Sequence, residues 1–184
     1  MIVLGLDPGF RRFGWAVMRV DGAGEELLAL GVWRTDKSDA KRNVRKASDD
    51  HRRGQELGRE LLATLERRKP DAVTAEAISF VRSSSVMAQI GRAWGMLDLA
   101  CVQRSLPLLE VSPQDLKRAV TGRADASKLE VQAALDARFG GRVAELLAGI
   151  RAKGDHEHPV DAAGSIVACL DTDVIRMGRR LGAA

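Results

Sequence analysis

The sequence has little cysteine and no long hydrophobic run. Its two cysteines, Cys101 and Cys169, lie in apolar stretches with helical spacing, which is typical of buried thiols in a reduced protein. No apolar run approaches the ~20 residues of a membrane-spanning helix. Residues 1–6 are too short for the hydrophobic region of a secretion signal. We therefore expect a cytoplasmic protein that does not associate with membranes.

Internal repeats and low-complexity tracts are also absent from the 184 residues. Hydrophobic residues make up 45% and charged residues 29%, which is an ordinary globular composition. This length suffices for one well-buried domain and is too short for two, so we expect a single domain over residues 1–184. The net charge of +4 and the pI near 9.4 permit a polyanionic partner without requiring one.

The order of the apolar segments predicts an α/β fold. Three strands come first, joined by short turns such as Asp21-Gly22, which favours an antiparallel meander. A helix separates them from the fourth strand, so that strand should lie parallel to the first and beside it. We expect a five-stranded mixed sheet, three antiparallel strands then two parallel ones, flanked by helices. The predicted strands are residues 2–7, 14–20, 27–35, 72–78 and 108–111, and the predicted helices are residues 49–68, 83–104, 113–120, 128–139 and one that starts at Pro159.

Two acids end strands that should be neighbours in this sheet. Asp7 follows a short apolar run and precedes Pro8-Gly9, and Glu76 lies late in the fourth strand. If the strands are adjacent and parallel, both carboxylates lie at the same sheet edge. His158 and Asp161 are three residues apart near the start of the last predicted helix, so they can face the same way.

These four residues form a sensible metal site. Divalent cations such as Mg²⁺ prefer oxygen ligands, and two such ions can hold an attacking water and a leaving oxygen in line for phosphodiester cleavage. The helix N-terminus disfavours a protonated imidazole, so His158 should act as a neutral ligand or orient the attacking water.

Each of the four residues also has an ordinary structural explanation. Asp-Pro-Gly is good turn chemistry anywhere, and a lone histidine is more often a cap or solvent-exposed. Asp161 would suit the first turn of any helix through the helix dipole. The set is harder to explain in this way than any single member.

Cations and glycines mark two further regions. Residues 36–53 are rich in lysine and arginine, which indicates either a solvated loop or an arm that contacts phosphate. On charge alone, the cations Lys117, Arg118, Arg123 and Lys128 indicate an ordinary solvated surface. Gly91 and Gly95 are four residues apart in a predicted helix, where glycine costs stability, so close packing against a partner element is expected.

The amino-acid sequence resembles those of the RuvC-type Holliday junction resolvases of the ribonuclease H-like nuclease superfamily. The similar stretches are Ile2 to Gly9, Glu76 with Gly91 fifteen residues later, Ser112 to Lys128, and His158 to Ala163. Each stretch is weak alone, but together they extend over nearly the whole chain in a specific order. The resemblance implies a ribonuclease H-like fold with catalytic and metal-binding residues Asp7, Glu76, His158 and Asp161.

The same resemblance implies the ligands and partners. It implies Mg²⁺ as cofactor, two ions per site with Mn²⁺ as a substitute, and a homodimer that nicks a four-way DNA junction symmetrically. A branch-migration helicase is a further implied partner. The long helix with Gly91 and Gly95 is the expected dimer surface, and its alternative is packing within the chain. DNA contacts are expected from Lys117 and Lys128, with Arg118, Arg123 and Phe80 as further candidates.

Some positions depart from the family pattern, and other functions stay open. Members commonly carry an aromatic residue three positions after the glutamate, where this chain has Ser79, so Phe80 is expected to substitute. The loop between Gly122 and Lys128 also departs from the glycine-rich sequence that is usual in the family. The alternatives are another nuclease of this fold, such as an RNA-processing enzyme related to YqgF or a flap or branched-DNA nuclease, an actin-like ATP-binding protein, and a DNA-binding module without chemistry.

Overall fold

The computed structural model describes residues 1–39, 44–78 and 83–181, so the predictions for Ser79 and Phe80 lie outside the described residues. One mixed sheet is formed by five strands, in the spatial order β3-β2-β1-β4-β5. β1, β2 and β3 pair antiparallel, and β4 and β5 extend the sheet from β1 in parallel. This confirms the predicted sheet. The strands are β1 Ile2–Asp7, β2 Arg12–Asp21, β3 Gly24–Arg34, β4 Ala72–Glu76 and β5 Leu108–Val111.

Helices cover both faces of the sheet. Two helices and one 3₁₀ turn were not predicted. A short helix and the 3₁₀ turn (Lys153–Asp155) lie in the region 140–157 that the pattern left irregular, and a final helix ends the described chain. The helices are α1 Lys46–Arg68, α2 Ser84–Gln103, α3 Pro113–Thr121, α4 Lys128–Arg138, α5 Arg142–Leu147, α6 Glu157–Cys169 and α7 Asp173–Leu181.

Serine side chains set the start of three helices. Ser83, Ser112 and Ser127 each accept a hydrogen bond from a backbone amide three residues ahead, at the start of α2, α3 and α4. Pro113 occupies the first turn of α3, where its missing amide hydrogen costs nothing. These caps place the starts of the three helices within one or two residues of the predicted ones.

The sheet divides the core into two layers. Leu4 and Leu6 of β1 face a layer shared with α1 and α2, while Val3 faces the layer that contains α6. Because side chains alternate along a strand, Asp7 lies on the α6 side of the sheet. Cys101 and Cys169 are buried free thiols, one in each layer, as predicted.

The glycines of α2 are not packed against another element. A Cβ atom added at Gly91 or Gly95 would meet no heavy atom within 4 Å of it among the described residues. Packing against the part of the chain that the structure describes therefore does not explain them. Among the helices that the structure describes, none is long and apolar enough to cross a bilayer.

Candidate active site

Asp7 and Glu76 lie side by side at one edge of the sheet. Leu6 of β1 is in register with Ala75 of β4, and the two acids are the next residue along each parallel strand. Both strands emerge from the core at this point, which leaves the two carboxylates at the same end of the sheet. The predicted neighbourhood of these two acids is confirmed.

Helix α6 brings His158 and Asp161 to the same edge because two positions of the sheet below it, Gly5 and Gly14, have no side chain. A Cβ atom on Gly14 would lie 2.2 Å from the His158 carbonyl oxygen, and one on Gly5 would lie 2.1 Å from that of Ala162. With glycine at both positions, the helix backbone rests directly on β1 and β2. His158 Nδ1 then lies 2.6 Å from Asp7 Oδ2, a hydrogen bond across 151 residues of sequence.

The acids crowd one another in a partly buried space. Burial, with the negative charges of Asp161 and Asp7, raises the pKa of Glu76 to about 8. Burial and the charge of Asp7 likewise raise the pKa of Asp161 to about 7. Both shifts have the direction expected for carboxylates that lose water and face like charges. The site is therefore short of positive charge.

His158 departs from the expected electrostatics. Burial lowers its pKa, but the hydrogen bond to Asp7 and the charges of Asp7, Glu157 and Asp161 outweigh burial, so its pKa is raised from the ordinary histidine value. These contacts oppose the helix-dipole effect expected from the sequence, and the role of His158 as a neutral ligand stays a prediction. With Asp7 as the acceptor, the hydrogen of this bond lies on Nδ1, and Nε2 is the ring nitrogen left for another partner.

The chemistry of the four side chains fits a divalent cation. Carboxylate oxygens suit Mg²⁺, and a cation would relieve the repulsion that raises the pKa values of Glu76 and Asp161. Within the described ranges, no three His, Cys, Asp or Glu side chains already converge on one point where an ion could bind.

One of the four predicted DNA-contacting cations lies at the site. Lys128 Nζ forms an ion pair with Glu157 at the start of α6, and the acids Asp161 and Asp7 also act on its charge. These contacts outweigh burial and raise the pKa of Lys128. Glu157 was not singled out from the sequence, although it directly precedes His158.

The other predicted cations lie on α3 and the loop after it. Arg118 pairs with Asp115, with 2.6 Å between Nη1 and Oδ1, and Arg123 pairs with Asp125 at 3.1 Å. No described ion pair involves the half-buried Lys117. Nothing in these contacts connects Arg118 or Arg123 to the acids of the candidate site.

A second group that sequence reasoning missed lies beside the site. Asp155 is 1% exposed and forms ion pairs with Arg12 of β2 and Arg34 of β3. The two guanidinium groups outweigh burial and lower the pKa of this carboxyl. No local signal in the sequence marks this group, because Asp155 is more than a hundred residues away from both arginines.

A five-stranded mixed sheet with acids at the ends of β1 and β4 and on a helix above them is the arrangement of the ribonuclease H-like nucleases. A model of the family described as crossover junction endodeoxyribonuclease RuvC matches residues 3–139. The chain belongs to this family.

Curated relatives and solved structures agree with that assignment. RuvC of Pseudothermotoga lettingae is 33% identical over 132 residues, which cover 72% of this chain and 76% of the relative. RuvC of Bacteroides fragilis is 32% identical over 130 residues, 71% of this chain and 64% of the relative. The Thermus thermophilus RuvC structure aligns with a TM-score of 0.72 and 26% identity, covering 97% of this chain and 98% of that one.

A second structure of Thermus thermophilus RuvC, in complex with a Holliday junction substrate, also aligns with a TM-score of 0.72, at 24% identity. The family-model match ends at residue 139, before His158 and Asp161, whereas the structural alignments cover 97% of the chain.

Proposed function

We propose that this protein is a structure-selective endonuclease that resolves Holliday junctions by metal-dependent hydrolysis of phosphodiester bonds, nicking two strands symmetrically. The observation that carries the proposal is that Asp7, Glu76, Asp161 and His158 lie at one sheet edge, where the acids act on one another's pKa and His158 contacts Asp7. Membership of the RuvC family supports the substrate, because a relative of the same fold was solved with a Holliday junction. The proposal treats residues 1–184 as one catalytic domain acting in the cytoplasm.

The proposed cofactor is Mg²⁺, as two ions per site, with Mn²⁺ as a substitute. Asp7, Glu76 and Asp161 would hold the metal, which supplies a polarised water and stabilises the charge that develops on the phosphate oxygens. His158 would bind or orient through Nε2 while its Nδ1–H donates to Asp7. Glu76 and Asp161 must give up any bound proton before they coordinate, since only the carboxylate form is a ligand.

The proposed DNA contacts are electrostatic. Lys128 lies beside the acids and would exchange Glu157 for a backbone phosphate when the junction binds. Lys117 contributes a second phosphate contact from α3. Arg118 and Arg123 stay candidates for weaker contacts, because each already has an acidic partner.

The proposed assembly is a homodimer formed through α2. Along one side of this helix, Met87, Gly91, Gly95, Leu99 and Val102 follow one another at helical spacing and are exposed. An apolar stripe that no other described residue covers suits a second copy, and a two-fold protein matches a two-fold junction. A branch-migration helicase is a further proposed partner.

One gel assay tests the function. Labelled mobile four-way junction, flap, duplex and RNA substrates are incubated with the protein and Mg²⁺, and paired nicks are expected in the junction alone. Asp7→Asn, Glu76→Gln and Asp161→Asn should each abolish cleavage while junction binding stays largely intact, because these acids hold metal rather than read DNA. Cleavage of RNA in preference to the junction would contradict the proposal, as would an acid variant with full activity at ordinary Mg²⁺ concentrations.

A further inference from the structure

Helix α6 carries His158 and Asp161 but lacks the cap that fixes other helices of this chain. The residue before it, His156, makes no side-chain capping hydrogen bond, whereas serine caps α2, α3 and α4. Gly5 and Gly14 permit α6 to approach the sheet, but a missing side chain exerts no attraction. Besides the contacts of His158 with Asp7 and of Glu157 with Lys128, the turn just before α6 makes an interaction that bears on its N-terminal end.

The only buried carboxylate near this end of the described helix is Asp155, the last residue of the 3₁₀ turn that leads into α6. Its oxygens meet the Nε atoms of Arg12 and Arg34. These arginines are cross-strand partners in β2 and β3, and Arg12 lies two residues before Gly14, on the same face of the sheet.

The contacts follow one line along that face. Asp155 meets Arg12, the His158 backbone meets Gly14, and Ala162 meets Gly5. The line places an attractive contact three residues before His158 and six before Asp161. A carboxylate that is 1% exposed would be costly without its cations, so displacement of this turn from the two arginines is strongly opposed.

We propose that Asp155 is a positioning residue: through its ion pairs with Arg12 and Arg34, it fixes the start of α6 and thereby holds His158 and Asp161 at the distance that Asp7 and Glu76 require. This inference rests on the proposed nuclease function for its effect on cleavage. Its structural part, a fixed helix start, does not depend on that function.

The test compares three variants of the full chain. Asp155→Asn removes the charge with little change in size, and Arg34→Gln leaves Arg12 to neutralise the carboxylate. Arg19→Gln is the matched control, because Arg19 and Glu26 form a cross-strand ion pair on the same two strands, exposed and away from the site.

Amide hydrogen exchange reports the helix start without reference to activity. In Asp155→Asn, exchange in the first two turns of α6 should rise by about tenfold or more while α4 keeps its protection. Arg34→Gln should show a smaller change of the same direction. Arg19→Gln should match the wild type. If Asp155→Asn does not fold, the exchange pattern of Arg34→Gln decides.

Cleavage measurements separate positioning from general stability. With saturating junction, Asp155→Asn should lower kcat by roughly 10- to 100-fold, as a displaced catalytic group does, and should raise the Mg²⁺ concentration needed for half-maximal activity. Junction affinity without metal should change by less than about twofold, because Asp155 is buried and faces arginines rather than DNA.

Three results would overturn the inference. One is wild-type exchange and wild-type Mg²⁺ dependence in Asp155→Asn. Another is a fractional fall in the kcat of Asp155→Asn that is no larger than the fraction of that variant which is unfolded. The third is weaker junction binding with a shallower salt dependence in Arg34→Gln and unchanged exchange, which would make the arginines DNA contacts. A wild-type protein that leaves the junction uncut would count against the proposed function, while the exchange comparison would still stand.

Discussion

At the scale of single residues, Glu76 connects the chemistry of the site to the stability of the fold. Its folded pKa is about 8 in the metal-free chain, against an ordinary value of 4.5. As the pH rises, the unfolded state loses this proton first, so the stability associated with protonated Glu76 is complete below pH 4.5 and is lost as the pH passes through about 8. Ionisation of Glu76 in the folded protein therefore lowers the free energy of unfolding.

Glu76→Gln should remove that loss. We expect the variant to exceed the wild type in free energy of unfolding by about 2 kcal/mol at pH 8 and by little at pH 4.5, because glutamine stays neutral at both. Urea titrations in the presence of a chelator measure the difference. Glu66→Gln, at an exposed acid of α1, is the control. Equal stabilisation at both pH values would contradict the assignment.

His158 allows a second test at this scale. His158→Asp should keep substantial Mg²⁺-dependent cleavage, since an oxygen ligand can replace Nε2, while His158→Ala should lose most of it. The pKa of His158 is raised, so wild-type activity at limiting metal should fall as the pH drops, and the fall should begin at a higher pH than an ordinary histidine would give. The aspartate variant should hold its activity to lower pH. A pH–rate series on one junction decides, and an alanine variant as fast as the wild type would remove His158 from the site.

The lysines make a third prediction. Lys117→Ala and Lys128→Ala should each weaken binding to all junction sequences alike and reduce the slope of log K against log salt by about one. Arg176→Ala on α7 is the control, because α7 packs near Met1, at the other end of β1 from Asp7. Fluorescence anisotropy at several salt concentrations gives the slopes. Unchanged slopes in both lysine variants would exclude phosphate contacts.

At the scale of secondary-structure elements, the contact between β2 and α6 determines the geometry of the site. Gly14→Ala would place a Cβ atom 2.2 Å from a backbone oxygen of His158, and backbone cannot rotate away as a side chain can. We expect a loss of ~1–3 kcal/mol in unfolding free energy from overpacking and a fall in cleavage of roughly 100-fold. Thermal melts and cleavage rates measure both.

Gly54→Ala on α1 is the matched control for that substitution. The nearest heavy atom to its added Cβ, on Phe10, is 3.9 Å away, so the change should be neutral or stabilise by ~0.5–1 kcal/mol through helix propensity. If Gly14→Ala behaved like Gly54→Ala, α6 would not rest on β2 as closely as described.

At the scale of the whole molecule, the exposed stripe of α2 makes a prediction about assembly. Leu99 and Val102 are 59% and 76% exposed, and replacing both by glutamate should convert a dimer into a monomer in sedimentation velocity. Paired nicking should then become uncoupled, because two active sites no longer face one junction. Met177→Glu, at an exposed methionine of α7, is the control. Dissociation by Met177→Glu alone would place the interface on α7.

The order of strands, most helix starts and the nearness of Asp7 to Glu76 could be predicted from the sequence, because their signals are local. An apolar run that ends at Asp7 and an acid late in the fourth strand are visible within a few residues. The parallel pairing of β1 with β4 followed from the single helix between them.

Other features depended on tertiary structure, because they arise between residues far apart in sequence. Arg12 meets Asp155 across 143 residues, and no pattern near either one identifies its partner. The raised pKa of His158 came from its contact with Asp7 and from the charges of Glu157 and Asp161, which together outweighed burial. The helix start could be predicted locally, but which charges hold that start against the sheet was decided by the packing of α6 on β1 and β2.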